Sequence, residues 1–257
     1  MTFYDLANPT RFLALVQKLL PWLIGACAVT MAAGIYMALF VAPHDYQQGV
    51  TVRIMYIHVP SAWLALFCYG MMALSSIGTL VWKHPLADVS AKSAAPLGAC
   101  FTFLALWTGA IWAKPMWGTW WVWDARLTSF LVLFIMYLGI IALWKTIEDP
   151  IKAAKANAIL TLVGVINLPI IKFSVDWWNT LHQPASVFRA DGPSMHSSIL
   201  IPLFVMAIGF TLFFTCVHLM LMRNEIYARR IRAMRLRAAS KAPSASVKNQ
   251  AAAQGAS

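Results

Sequence analysis

Charge is scarce in this chain, and acidic charge most of all. Asp and Glu number nine among 257 residues, and all charged types together make up 11%. Soluble domains carry about a quarter charged residues, so a chain this poor in charge and 60% hydrophobic is not built for water. Cysteine is sparse too. Cys27, Cys68, Cys100 and Cys216 each lie in an apolar run, with no CxxC pair, and read as small buried hydrophobes. The CxxCH of covalent c-type haem attachment is missing. So is the GxxxxGK[ST] phosphate loop, which leaves no nucleotide-hydrolysing site of the chain's own.

What is present is long apolar runs. A bilayer core of roughly 30 Å needs about 20 apolar residues at 1.5 Å per residue. Six stretches approach that length: Leu20–Val41, Val59–Trp82, Ala94–Ala113, Leu127–Trp144, Ala158–Val175 and Ile199–Met222. In lipid every backbone polar group must be paired locally, so these are helices. The first run is too long for the 7–15 apolar residues of a signal peptide and reads as a retained span. Gly25, Gly34, Gly70 and Gly78 suit close helix contacts. Pro169, beside Asn167, kinks the fifth span. The expected fold is therefore all-α: a polytopic bundle of six transmembrane helices.

Basic residues set the orientation. One side receives Arg11, Lys18, Lys83, Lys92, Lys145, Lys152 and Lys155, then Arg223, Arg229, Arg230, Arg232, Arg235 and Arg237. The other receives only Arg53, Lys114, Arg126 and Arg189, with Lys172 at the membrane edge. Both termini are expected in the cytoplasm, the partner of the basic tail being anionic lipid and not nucleic acid. The expected division is a cytoplasmic segment 1–19, a membrane domain 20–223, and a tail 224–257 that is basic and then, past Ala238, disordered.

The segment richest in chemistry is an outward loop, Trp117-Gly-Thr-Trp-Trp-Val-Trp-Asp-Ala-Arg126. Interfacial belts account for one or two tryptophans, but this loop has four in seven residues, with Trp107 and Trp112 just upstream. Indoles offer flat faces to a flat apolar ligand and N–H donors to its polar edge. Two histidines flank this loop from the neighbouring outward segments. His58 stands at the mouth of the second span and His182 just beyond the fifth. Two imidazoles on opposite faces of a porphyrin give a six-coordinate iron. Arg53 and Arg126 either pair with propionates or anchor the interface. His84 and His218 lie on the inward side and read as structural.

On these residues the chain resembles the CcmC family of haem exporter proteins, within the wider group of haem-handling membrane proteins carrying a tryptophan-rich WWD signature. The signature stands here as WGTWWVWDARLTS, Trp117 to Ser129, and the histidine contexts as VRIMYIHVPSAW and DWWNTLHQP. The resemblance runs from about Leu20 to Arg223. It implies transient, non-covalent binding of haem b, with His58 and His182 as axial ligands of the iron. It also implies a platform of Trp117, Trp120, Trp121, Trp123 and Asp124 shared by haem and a partner. That partner is the periplasmic haem chaperone CcmE, which receives haem at the outer face of the bacterial inner membrane for cytochrome c biogenesis. Other implied partners are the membrane subunit CcmB, the small membrane protein CcmD and the cytoplasmic ABC-type ATPase CcmA. The chain itself would be a carrier and not an enzyme.

Two other classes remain open on sequence alone. A permease for another substrate would want polar groups deep in several spans, where Asn167 is nearly the only strong candidate. An electron-transfer cytochrome would hold haem permanently between histidines within the spans, whereas these two sit at span ends. The charge pattern gives a direct test of topology. A periplasm-active reporter fused after Asp191 should be active and one fused after Ala238 silent, and the reverse pattern would invert the orientation.

Overall fold

The computed structural model describes residues 7–178, 180–182 and 186–241. Seven α-helices, and no strand among the described residues, make up six membrane-length segments. Helix α1 spans Pro9–Tyr36 and runs on through a wider π-turn, Met37–Val41. A 3₁₀ turn, Val50–Ile54, leads into α2, Met55–Val81. Then follow α3 (Ala87–Trp117), α4 (Ala125–Thr146), α5 (Pro150–Gly164), α6 (Asn167–Trp177) and α7 (Ser197–Lys241). The chain is a multi-pass membrane protein.

The helices overrun the apolar runs because polar caps, not hydropathy, set their ends. Asn8 caps α1, its side-chain oxygen accepting from Thr10 N–H at 2.8 Å, so this helix begins well inside the segment 1–19. Asp149 caps α5 in the same way ahead of Pro150, which has no N–H to lose at a first turn. Helix α3 ends at Gly118, whose φ of 77° is a left-handed stop. The tail is helical through Lys241, and residues 242–257, expected to be disordered, lie outside the described residues.

The fifth span is broken rather than bent. Pro169 cannot donate to the Val165 carbonyl, and Leu168 N–H takes that carbonyl at 3.0 Å instead. The chain loses its helical register between Gly164 and Asn167 and restarts as α6. Asn167 then bonds across to the Ser129 carbonyl of α4 at 2.9 Å, which makes the pair a packing feature.

Helices α2, α3 and α4 form the centre, where Ala65, Cys68, Tyr69, Ala94, Leu133, Tyr137 and Ile140 are buried. Helices α1 and α7 pack by exchange: Met206 fills the space a side chain at Gly34 would take, and Met31 does the same at Gly209. Gly78 sits against Ala87, but Gly25 and Gly70 face open space and make no close helix contact. Outward-facing Trp22, Val29 and Leu74 are exposed, as a lipid-facing surface requires. At the end of the bundle opposite the tryptophan loop, Arg229 of α7 pairs with Asp88 at 2.7 Å and Glu225 at 2.8 Å. Lys92 holds the same Glu225 at 2.8 Å.

Gly98 is the tightest point of the core. The ring of Tyr137 occupies the place of a Cβ there, and its hydroxyl donates to the Ala65 carbonyl at 2.7 Å. Gly98→Ala should therefore cost about 1–3 kcal/mol for overpacking, plus the bond Tyr137 must abandon. Tyr137→Phe should cost only about 0.5–1.5 kcal/mol. Thermal unfolding in detergent ranks the two, and a silent Gly98→Ala would refute the contact.

Candidate functional site

A cavity of about 430 Å³ opens at one end of the bundle, within the roughly 300–1,000 Å³ of small-molecule sites. The start of α2, the end of α3, the start of α4, the end of α6 and the loop before α7 meet around it. His58 enters from the first turns of α2 and His182 from the loop after α6. Trp63, Trp112 and Trp117 supply indole walls.

Each histidine is held through Nδ1. His58 Nδ1 lies 3.1 Å from the Thr108 hydroxyl, and that hydroxyl spends its own proton on the Leu104 carbonyl at 2.6 Å. Thr108 must then accept, so Nδ1 of His58 carries the proton. His182 Nδ1 lies 2.9 Å from Oδ2 of Asp124, a carboxylate that can only accept. Thr180 donates to the same oxygen. The network thus assigns both rings the Nδ1–H tautomer. It leaves Nε2 as the lone-pair nitrogen of both rings. Two bare imidazole nitrogens on one cavity are ligands in waiting.

Close packing sets the rings. A Cβ at Gly109 would come within 3.0 Å of His58 Cε1, so the imidazole lies directly on the α3 backbone. Trp112 meets His58 edge-on at 5.7 Å, and Trp117 meets His182 edge-on at 4.8 Å. Trp112 is fixed in turn by its indole N–H, which donates to Gln48 at 3.1 Å.

Asp124 has two duties. Oδ1 accepts the Leu127 N–H at 2.8 Å and caps α4, while Oδ2 serves His182 and Thr180. Burial alone would raise its carboxyl, but Thr180, the Leu127 N–H and His182 together hold it below the ordinary carboxylate range. Burial also lowers the His182 imidazole, and the Asp124 carboxylate opposes that shift only in part. Arg126 lines the cavity and donates from Nε to Ser174 at 3.2 Å. This fixes the plane of a guanidinium whose two other nitrogens can fork onto a carboxylate.

A profile of the family described as Heme exporter protein C matches residues 2–237. The chain belongs to the Heme exporter protein C family. A protein of that name from Bradyrhizobium diazoefficiens is 64% identical over 241 residues, covering 94% of this chain and 91% of the relative. The Heme exporter protein C of Escherichia coli K12 is 46% identical over 226 residues, covering 88% and 91%. A putative cytochrome c biosynthesis ccmC-like mitochondrial protein of Marchantia polymorpha is also 46% identical, over 224 residues, covering 87% and 95%.

For this member of the family, the residues named from sequence divide in two. His58, His182, Trp117 and Arg126 line one cavity, and Asp124 reaches it through His182. Trp120, Trp121, Trp123 and Arg53 do not line it. Trp120 and Trp123 are exposed, and Trp121 packs edge-on to Trp123 at 5.5 Å. Arg53 sits in the turn before α2 with Nε buried. Sequence reasoning missed Gln48, Gly109 and Lys172 in the lining and Thr108 and Thr180 beside the histidines, none of which carried a signal; Trp112, close to the tryptophan run, also lines the cavity. His218, on the far side of the bundle, stacks on Phe214 and meets Ser90, and His84 caps the turn before α3.

The carboxylate gives a pH-dependent expectation. A histidine held below its ordinary pKa near 6.5 contributes stability that is full above that value and is lost as pH falls through it. Asp124→Asn removes the charge that partly opposes burial, so His182 should stay neutral to still lower pH. Histidine-ring NMR titration of labelled protein reads this directly. A higher or unchanged value would refute the pairing.

Proposed function

We propose that this chain binds haem b reversibly in the cavity between His58 and His182 and passes it to an acceptor at the outer face of the bacterial inner membrane. The observation that carries the reading is the shared anchoring: both rings are held through Nδ1, which leaves Nε2 unprotonated, and both line one indole-walled cavity. Among the described residues no cluster of three His, Cys, Asp or Glu side chains stands ready for a bare metal ion. A porphyrin brings four of iron's six donors with it, so two imidazoles complete the set.

The residues divide the work. His58 and His182 ligate, Trp112 and Trp117 wall the flat apolar faces, and Arg126 meets a propionate at the rim. Arg53, in the outer turn, serves the rim if the second propionate lies toward α2. Trp120, Trp121 and Trp123, turned away from the cavity, belong to the face that meets the acceptor. That acceptor is the chaperone CcmE, a reading supported by the family's description as a haem exporter and by the lack of a CxxCH tether in the sequence. The bundle 20–223 is the haem-handling domain, with both termini and the arginine-rich tail 224–257 in the cytoplasm. CcmB, CcmD and the ATPase CcmA complete the complex, because the chain has no phosphate loop of its own.

The test is haem content together with chaperone loading. His58→Ala and His182→Ala should each lower haem retention and abolish loading while membrane insertion is unchanged. Losing one indole face should weaken binding by roughly an order of magnitude, since base–aromatic stacking elsewhere is worth about 1–3 kcal/mol. Trp112→Ala and Trp117→Ala should therefore lose haem. Trp120→Ala with Trp123→Ala should keep haem and lose loading. Wild-type haem and loading in both histidine variants would refute the function.

A further inference from the structure

The two candidate ligands are held by groups of different chemistry. His182 gives its Nδ1–H to a carboxylate at 2.9 Å, and that side chain is only 4% exposed. His58 gives its Nδ1–H to the hydroxyl of Thr108 at 3.1 Å, an oxygen already committed as a donor to Leu104. A carboxylate draws the proton toward itself and leaves electron density at Nε2, which makes the imidazole a stronger donor. A neutral hydroxyl does this far less.

We infer that the pair is unequal by construction: His182 is the ligand that retains haem, and His58 is the ligand that opens first when haem is handed on. The inference rests on the haem reading above. It makes Asp124 and Thr108 positioning residues, each acting through an imidazole.

The local structure supports the division. Asp124 is tied by Oδ1 to the first turn of α4, so a histidine borne on a loop is fixed as firmly as one on a helix. His58 is placed by the neutral Thr108 hydroxyl and by shape. Its ring rests on Gly109 and against the edge of Trp112, with no carboxylate facing it among its contacts. Shape of this kind sets direction without strengthening the bond. A carrier must hold its cargo through one bond while the other is exchanged for a partner's ligand. Unequal bonds fix the order of that exchange.

The test separates charge from fold. Asn caps helices as well as Asp does, so Asp124→Asn keeps the Leu127 bond while replacing the carboxylate oxygen that faces His182 with a neutral amide group that donates. Full-length protein in detergent is loaded with haemin, alone and in His58→Ala and His182→Ala backgrounds. Each is studied with and without Asp124→Asn, and Thr108→Val is prepared alongside. Two quantities are read: the iron–histidine stretching band of the reduced protein, and the rate of haem loss to excess apomyoglobin. His58→Ala should release haem about tenfold or more slower than His182→Ala. Adding Asp124→Asn to His58→Ala should lower the band and speed release about 10–100-fold, whereas in His182→Ala it should leave the band in place. Thr108→Val should alter release less than Asp124→Asn does. Equal release from the two histidine variants, or a band and rate indifferent to Asp124→Asn, would overturn the inequality and leave two-histidine binding standing. A wild-type spectrum without two-histidine ligation would overturn the haem reading and the inequality with it.

Discussion

The carboxylate of Asp124 joins the parts of this site that the chain keeps apart. The end of the tryptophan loop, the first turn of α4 and the loop after α6 all converge on its two oxygens. Without it, α4 would begin with an unsatisfied N–H in a buried place. The loop bearing His182 would then lose its two hydrogen bonds to the start of α4 and keep the ring contact with Trp117. A charge buried to this degree is costly unless its lone pairs are filled. Here three donors fill them, which is why the group stays ionised.

Much of the fold was legible because membrane helices advertise themselves by length and apolarity. All six spans were in the sequence, and so was the asymmetry of basic residues. The ends were not, because Asn8 and Asp149 act through single hydrogen bonds that no hydropathy count registers. The break at Val165 was half legible. Pro169 announces a kink, but whether the helix bends or restarts depends on which donor captures the freed carbonyl.

The site was legible in its unusual residues and opaque in its ordinary ones. His58, His182 and Trp117 stand out by type and spacing. Thr108 and Gly109 look like any pair in a membrane helix, yet one fixes the tautomer of His58 and the other leaves room for its ring. Trp120 and Trp123 stand out just as much but do not line the cavity, and a tryptophan run gives no clue to which indoles reach it. That appears only once the loop is folded.

Helix α7 has 45 residues, about 67 Å at 1.5 Å per residue, roughly twice the thickness of a bilayer core. Near its start, Phe204 meets Phe188, which packs in turn on Trp63 of the cavity wall. Near its end it is clamped to α3 by Arg229 and Glu225. A helix of this length places the aromatic stack at the cavity wall and the ion pairs of the opposite end on one continuous element. The two ends of the bundle are therefore joined by a single helix, with no loop between them.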